Sequence, residues 1–520
     1  MAAVLIRLKL TILRRSLGRD TSRLISFVFG LVAGAMVCLG SILATAGLRS
    51  GSVADASGAV AALATVTMLW MVTPLMMAGV DSSLDTAAFS LLPLGARRLI
   101  PGLTLAAFVG IPGAVTAVFA LDQIAVWSRS VPATLAAIVA GLLGAATCVV
   151  LSRVVTSLIA RSMWRRRARF LVTLVLPVVY LVPLMLDQVL QRGHSSLEAS
   201  AVRPAAGIAG WTPFGWAWAV PWEVARGAYA GAAVHLALAV ALLVVLAVLW
   251  ERVLDVELTT TAPRQVGTVH ASRARSGRSG PLAAIARRRL LGWRRDPRLT
   301  MQAVTLVAVS LIPAVPALFG PGHQDGPSGL VPLVLSASMA GVLMANDLAY
   351  DGTAWWLQVA AGVPGWVDRA GRVLAIGVSV LAFDVLVSIV QVAFGTRTAW
   401  LAVSGPLLSA LLIALGMGAA LGAMDPGTAA RRGPNPFAGS AGGGARGCLT
   451  ALVMFGVPVF LVAPVIVGAV LAGHSTLLQC LVLTAGALWG AGGLVVGIWW
   501  GGRILDRGAP EMLGKLRTFG

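Results

Sequence analysis

Charge is scarce in this chain of 520 residues: Asp, Glu, Lys and Arg make up 12% of it, against 58% hydrophobic residues. A soluble fold needs a polar skin over its core, and this composition cannot supply one, so the surrounding medium is lipid. Lysine is confined to Lys9 and Lys515, neither in a glycine-rich loop. The phosphate-cradling pattern G-x-x-x-x-G-K-[ST] is therefore missing, and the chain is expected to bind no nucleotide itself. Its four cysteines, Cys38, Cys148, Cys448 and Cys480, lie in or beside apolar segments and are spaced for neither a disulfide framework nor a zinc site. The histidines are scattered, so no metal centre and no nucleophile paired with a base are expected.

What the chain has in quantity is apolar runs of about 20 residues, the length that crosses about 30 Å of hydrocarbon as helix; the alternation of a transmembrane barrel is missing. The runs fall near 22–46, 57–79, 99–120, 131–153, 169–189 and 229–250, then 300–320, 329–346, 372–394, 398–424, 448–471 and 476–500. The expected fold is an all-α integral membrane protein of about 12 transmembrane helices in two tandem groups of six. With both termini cytoplasmic, all but six of the 40 basic residues fall inside; Arg49, Arg129, Arg192, Arg203, Arg226 and Arg397 lie outside. The net charge of +20 thus reads as topology anchors and lipid-headgroup contacts rather than a nucleic-acid surface. The expected location is the cell membrane.

The two groups open alike. Arg7, Lys9, Arg14, Arg15 and Arg19 alternate with Leu5, Leu8, Ile12 and Leu17, as in a basic amphipathic helix lying on the inner membrane surface. Residues 259–280, rich in Thr, Ser, Gly and Arg, form a linker, and residues 282–297 repeat the basic amphipathic pattern. Residues 1–258 and 281–520 are then two six-span halves. Having the same orientation, they are related by a pseudo-twofold axis along the membrane normal, a natural place for a solute path. After the second long apolar segment of each half comes a short acidic stretch. The first is Asp81-x-x-x-Asp85 with Phe89 and Pro93; the second is Asp347-x-x-x-Asp351 with Gly352, Thr353, Trp355, Leu357 and Pro364. The i, i+4 spacing puts each pair of acids on one face of a helix leaving the membrane.

The stretch Asp351-Gly352-Thr353, Trp355-Trp356-Leu357, Gly362-Val363-Pro364-Gly365 and Arg369 or Arg372 resembles the cytoplasmic coupling helix between the second and third spans of ABC-2 type permeases. Asp85-Thr86, Phe89, Leu91-Leu92-Pro93-Leu94-Gly95 and Arg97-Arg98 resemble it less fully, without the glycine. The whole layout is similar to that of the long, fused actinobacterial permeases that export hydrophobic antibiotics and other drugs. The resemblance implies a transport subunit, not an enzyme, moving a hydrophobic or amphipathic solute outward. It also implies a separate ATP-binding subunit, in two copies, docked on the coupling segments, with ATP and Mg²⁺ held there.

Two other readings use the same residues. Paired Asp motifs also serve intramembrane prenyltransferases, where clustered carboxylates hold Mg²⁺ and a diphosphate. An ion-coupled secondary transporter would place acids inside its spans, and Asp384, in the middle of the ninth, is the clear one. Asp384 is either a residue of the solute path or a protonated, hydrogen-bonded acid within the bundle, and His235 is a possible partner for it. Asp122 and Asp187 mark span ends. In the longest external segment, Trp211, Trp216, Trp218 and Trp222 stand among prolines, as in short interfacial helices forming an outer gate.

Overall fold

In the computed structural model the described residues are 2–19, 21–50, 52–53, 55–76, 95–162, 206–259, 280–311, 331–393, 400–427, 443–473 and 475–517. Among them secondary structure is helical throughout, without a strand. In hydrocarbon an unpaired backbone amide costs several kcal/mol, and the α-helix satisfies each one internally. The described helices fall into two compact units. The first holds α1 (Ala2–Arg19), α2 (Thr21–Ser50), α3 (Gly58–Met76), α4 (Ala96–Ala107), α5 (Ile111–Trp127), α6 (Val131–Ser162), α7 (Trp216–Ala225) and α8 (Tyr229–Thr259). The second holds α9 (Pro281–Arg295), α10 (Pro297–Leu311), α11 (Val331–Asp351), α12 (Trp356–Ala360), α13 (Gly365–Ala393), α14 (Trp400–Met424), α15 (Gly443–Ala472) and α16 (Thr476–Leu516).

Among the described residues, eight helices are long and apolar enough to cross a membrane, or nine if the pair α4 and α5 counts as one span. Helices occupy every expected apolar segment except 169–189, which lies outside the described residues, as do most of the linker and Asp187. Their outward faces are apolar: Leu142, Phe460, Val470, Leu471 and Leu488 are largely exposed, as lipid-facing side chains should be.

The expected span 99–120 is not one straight rod. It breaks at Phe108–Gly110 into α4 and α5, which meet at 79°. Gly110 has φ of 145°, a region poorly open to L side chains, and Pro112 opens α5 at a position where its missing N–H costs nothing. Asp122, expected to mark a span end, accepts a hydrogen bond from Ser41, tying α5 to α2.

In the second unit the core is built around α14 and α16. Gly486, Gly490, Gly493, Gly497 and Gly501 form a stripe on α16 at spacings of three and four, and a methyl group at Gly497 would lie 2.1 Å from the Gly416 carbonyl of α14. Lipid offers no hydrophobic drive for helix association, so small residues that bring backbones together supply it through dispersion contacts.

Three features recur in both units. A methyl group at Gly102 of α4 would strike Leu5 and Ala2 of the surface helix α1; one at Gly371 of α13 would strike Ile285 and Leu282 of α9. The backbone amide of Ala96, opening α4, donates to Asp255 of α8 at 3.4 Å, and that of Gly365, opening α13, donates to Asp506 of α16 at 2.7 Å. Both acceptors end a four-residue motif, Arg252-Val253-Leu254-Asp255 and Arg503-Ile504-Leu505-Asp506, whose leucines are buried. The surface helices each bury one cation at the same offset, Lys9 in α1 and Arg289 in α9.

Candidate functional site

The acidic stretch of the second unit is built by a sharp stop. α11 runs to Asp351, Gly352 takes φ of 54°, a left-handed value suited to glycine, and residues 352–355 form one 3₁₀ turn before the short α12. The chain turns again at 361–364 and enters α13, antiparallel to α11. This hairpin stacks the last turn of α11 on the first two turns of α13.

The facing side chains are charged and buried. Arg372 is fully buried and contacts all three acids of the joint: its Nη1 donates to Asp347 at 2.6 Å, its Nη2 to Asp351, and its Nε to Asp368 at 3.0 Å. Arg289, from the surface helix α9, pairs with the other oxygen of Asp347, and its guanidinium donates to the Asp347 carbonyl at 3.3 Å. Arg288, half exposed, reaches Asp351 at 2.6 Å, and Arg369 donates to Asp368 through Nε at 3.0 Å. Gln358 of α12, with its amide oriented to satisfy both ends, donates to Asp368 and accepts from Arg288 at 2.8 Å. Asp347 and Asp351 are thus not solvated helix ends. Both oxygens of Asp347 are engaged by guanidinium groups, and the acids work as ties joining α9, α11 and α13.

The residues after them divide by side. Trp355 turns inward and is buried against Leu348, Ala423, Leu505, Met512 and Leu516, which fastens the segment to the end of α16. Trp356 and Leu357 turn outward and are each more than half exposed, with Val359 beside them; Thr353 and Pro364 are also at the surface. Trp366, exposed on the first turn of α13, is near them in sequence. An apolar tip thus stands on a platform whose interior is locked by ion pairs. No family model, curated protein or solved structure matches the chain.

The counterpart residues Asp81, Asp85, Phe89 and Pro93 lie outside the described residues. Of the four tryptophans expected at an outer gate, only Trp211 is largely exposed. Trp218 is buried, its indole N–H donating to Thr67 Oγ1 at 2.8 Å, and Trp222 is buried beside Trp127 with Arg226 stacked 3.9 Å from its ring centre. Trp216 donates to the Trp211 carbonyl at 3.1 Å. Three of the four are thus at least partly packed within the first unit, their indoles binding α7 to its neighbours. Asp384 is buried and contacts Ser336 of α11. His235 has its own partners, the Trp211 ring at 4.6 Å and the Gly231 carbonyl at 3.1 Å.

Sequence reasoning named the acids but not their partners. The signal was there: Asp368 and Arg372 repeat the i, i+4 spacing of Asp347 and Asp351, so two charged faces of equal length flank one turn. The duplicated Arg-x-Leu-Asp motif was equally readable.

Proposed function

We propose that this chain is the membrane-spanning permease subunit of an ATP-driven exporter, and that residues 352–364 form the segment on which a separate ATPase subunit docks. The observation that carries the reading is the pairing of an exposed apolar tip, Trp356, Leu357 and Val359, with a base that cannot yield locally. A push on the tip is passed to the surface helix through Arg288 and Arg289, to the third helix through Arg372, and to the last helix through Trp355. A lever needs such a rigid connection, and buried charge-assisted hydrogen bonds supply it. The recurrence of the same three features in both units supports two six-span halves of common design, with their surface helices on the cytoplasmic side. The solute in this reading is hydrophobic or amphipathic and moves outward across the cell membrane; ATP and Mg²⁺ belong to the partner, present in two copies.

The test is a photoreactive residue placed at Leu357 in the full chain in its native membrane. The expected adduct carries a peptide with the G-x-x-x-x-G-K-[ST] pattern, and Trp356→Ala with Val359→Ala in the same probe-bearing chain abolishes it without lowering the amount of folded chain. An adduct to lipid alone rejects the docking role. In vesicles, efflux should persist when the proton gradient is collapsed and ATP is kept; efflux lost to an uncoupler at constant ATP points to ion-coupled transport.

A further inference from the structure

Asp384 sits in the interior of the second unit, on the face of α13 turned toward α11, with a relative exposure of 2%. Its Oδ1 contacts the hydroxyl of Ser336, itself fully buried, and its Oδ2 is buried with no hydrogen-bond partner. The Ser336 hydroxyl also lies 2.8 Å from the Leu333 carbonyl. Ser336 has a single hydrogen, and a carbonyl can only accept. If Asp384 were ionised, that one hydrogen would have to serve two acceptors, and a carboxylate buried in hydrocarbon would be left with one shared donor and one bare oxygen. Burying a charge that poorly solvated is among the costliest arrangements available to a membrane helix. With a proton on Asp384 both contacts are satisfied at once: the acid donates to Ser336 and Ser336 donates to Leu333. The remaining oxygen is then a carbonyl carrying little charge.

Among the described residues, the helices packed against α13 bring no cation near Asp384. Their charged side chains are Arg287, Arg288, Arg289, Arg294 and Arg295 of α9, Asp347 and Asp351 of α11, and Arg503, Asp506, Arg507, Glu511 and Lys515 of α16, all toward the other end of α13; α14 carries none. Arg372 is twelve residues from Asp384 along α13, about 18 Å of helix.

We infer that Asp384 is a protonated carboxylic acid donating to Ser336, a neutral clasp between α11 and α13, and not a counter-ion for a cationic solute. Resting on the exporter reading, this removes Asp384 from the groups that would select a solute by its positive charge.

The test is infrared difference spectroscopy on the purified full chain in lipid, comparing wild type with Asp384→Asn. A carboxylic-acid C=O band, sensitive to deuterium exchange, should be present in the wild type and lost in Asp384→Asn. Ser336→Ala should keep the band and shift it upward as the acid loses its acceptor. Because an amide also donates to Ser336, Asp384→Asn should hold the Tm of the wild type, whereas Asp384→Leu should lower it. Absence of any acid band assignable to residue 384 overturns the proposal, as does a Tm loss in Asp384→Asn equal to that of Asp384→Leu. In efflux, the proposal expects Asp384→Asn to treat cationic and neutral solutes alike, and selective loss of the cations overturns it. The infrared and Tm readouts need neither the ATPase nor transport, so their failure would leave the exporter reading standing.

Discussion

The joint where the surface helix meets the helix opening the third span, α1 with α4 and α9 with α13, is made twice, and in different materials. With Gly102 set on Gly371, the buried face that reads Asp368, Arg369 and Arg372 in α13 reads Leu99, Ile100 and Leu103 in α4. Leu99 and Leu103 are buried with Leu5, Trp250 and Leu254 in one apolar cluster, where the second unit has guanidinium groups and carboxylates. Both joints close, so the geometry does not depend on charge. A buried ion network offsets a large desolvation cost with directional bonds, and apolar residues of similar volume reach comparable stability without either. What the network adds is direction: Arg372 fixes three acids on two helices in one arrangement, whereas leucines tolerate sliding.

That comparison breaks first at Arg372. Arg372→Leu takes one guanidinium partner from each of Asp347, Asp351 and Asp368, and loss of one partner of a buried pair costs about 3–5 kcal/mol; the chain should lose most of its monodisperse yield in detergent. The triple change Asp368→Leu, Arg369→Ile, Arg372→Leu copies the first unit and leaves Asp347 and Asp351 to Arg288 and Arg289. It should be more stable than Arg372→Leu alone. A triple variant no better than the single one would show that the two joints are not interchangeable.

A smaller effect is expected where glycine sets the approach of helices. A methyl group at Gly497 meets backbone, the Gly416 carbonyl, while one at Gly144 of the first unit meets the edge of the Trp218 ring at 2.4 Å. Backbone gives less readily than a side chain, although Trp218 is itself held by Thr67. Gly497→Ala should therefore cost about 1–3 kcal/mol and Gly144→Ala less, read as the difference in Tm.

The break in the third span sharpens the contrast between units. α13 runs unbroken over 29 residues, while α4 and α5 need Gly110 to turn. Gly110→Ala should destabilise by about 1–3 kcal/mol, as expected for a side chain forced to positive φ, and Gly377→Ala, within α13, should do less. Smallest of all is the pair of helix-start ties. Asp506→Ala removes a bond of 2.7 Å and Asp255→Ala one of 3.4 Å, so the first should lower Tm by the larger amount, on the order of 1 kcal/mol.

Most helix positions were legible because lipid imposes a single rule, apolar runs of a fixed length, and the chain obeys it. The bend was not read, although Gly110 and Pro112 two residues apart are a stop and a start; a run of apolar residues on both sides concealed it. Around the candidate site, sequence supplied the acids and the turn glycine but merged Trp355 with Leu357 as one docking face. Residues 355 and 356 point opposite ways because a 3₁₀ turn hands over to an α-helix there, and neighbouring tryptophans carry no mark of which will be buried. Contacts between α9 and α11 are set by tertiary packing, beyond the reach of local pattern.

α16 bends near its end. At about 1.5 Å per residue the stretch from Thr476 to the kink at Gly508 reaches about 48 Å, more than the hydrocarbon thickness. Trp499 and Trp500, exposed and with Arg503 over the Trp499 ring, belong at the headgroup level. Met512, which packs with Trp355, lies beyond a kink at Gly508. The cluster that fastens Trp355 therefore draws on both sides of the kink, Leu505 before it and Met512 and Leu516 after it, so the angle at Gly508 sets where the tip stands.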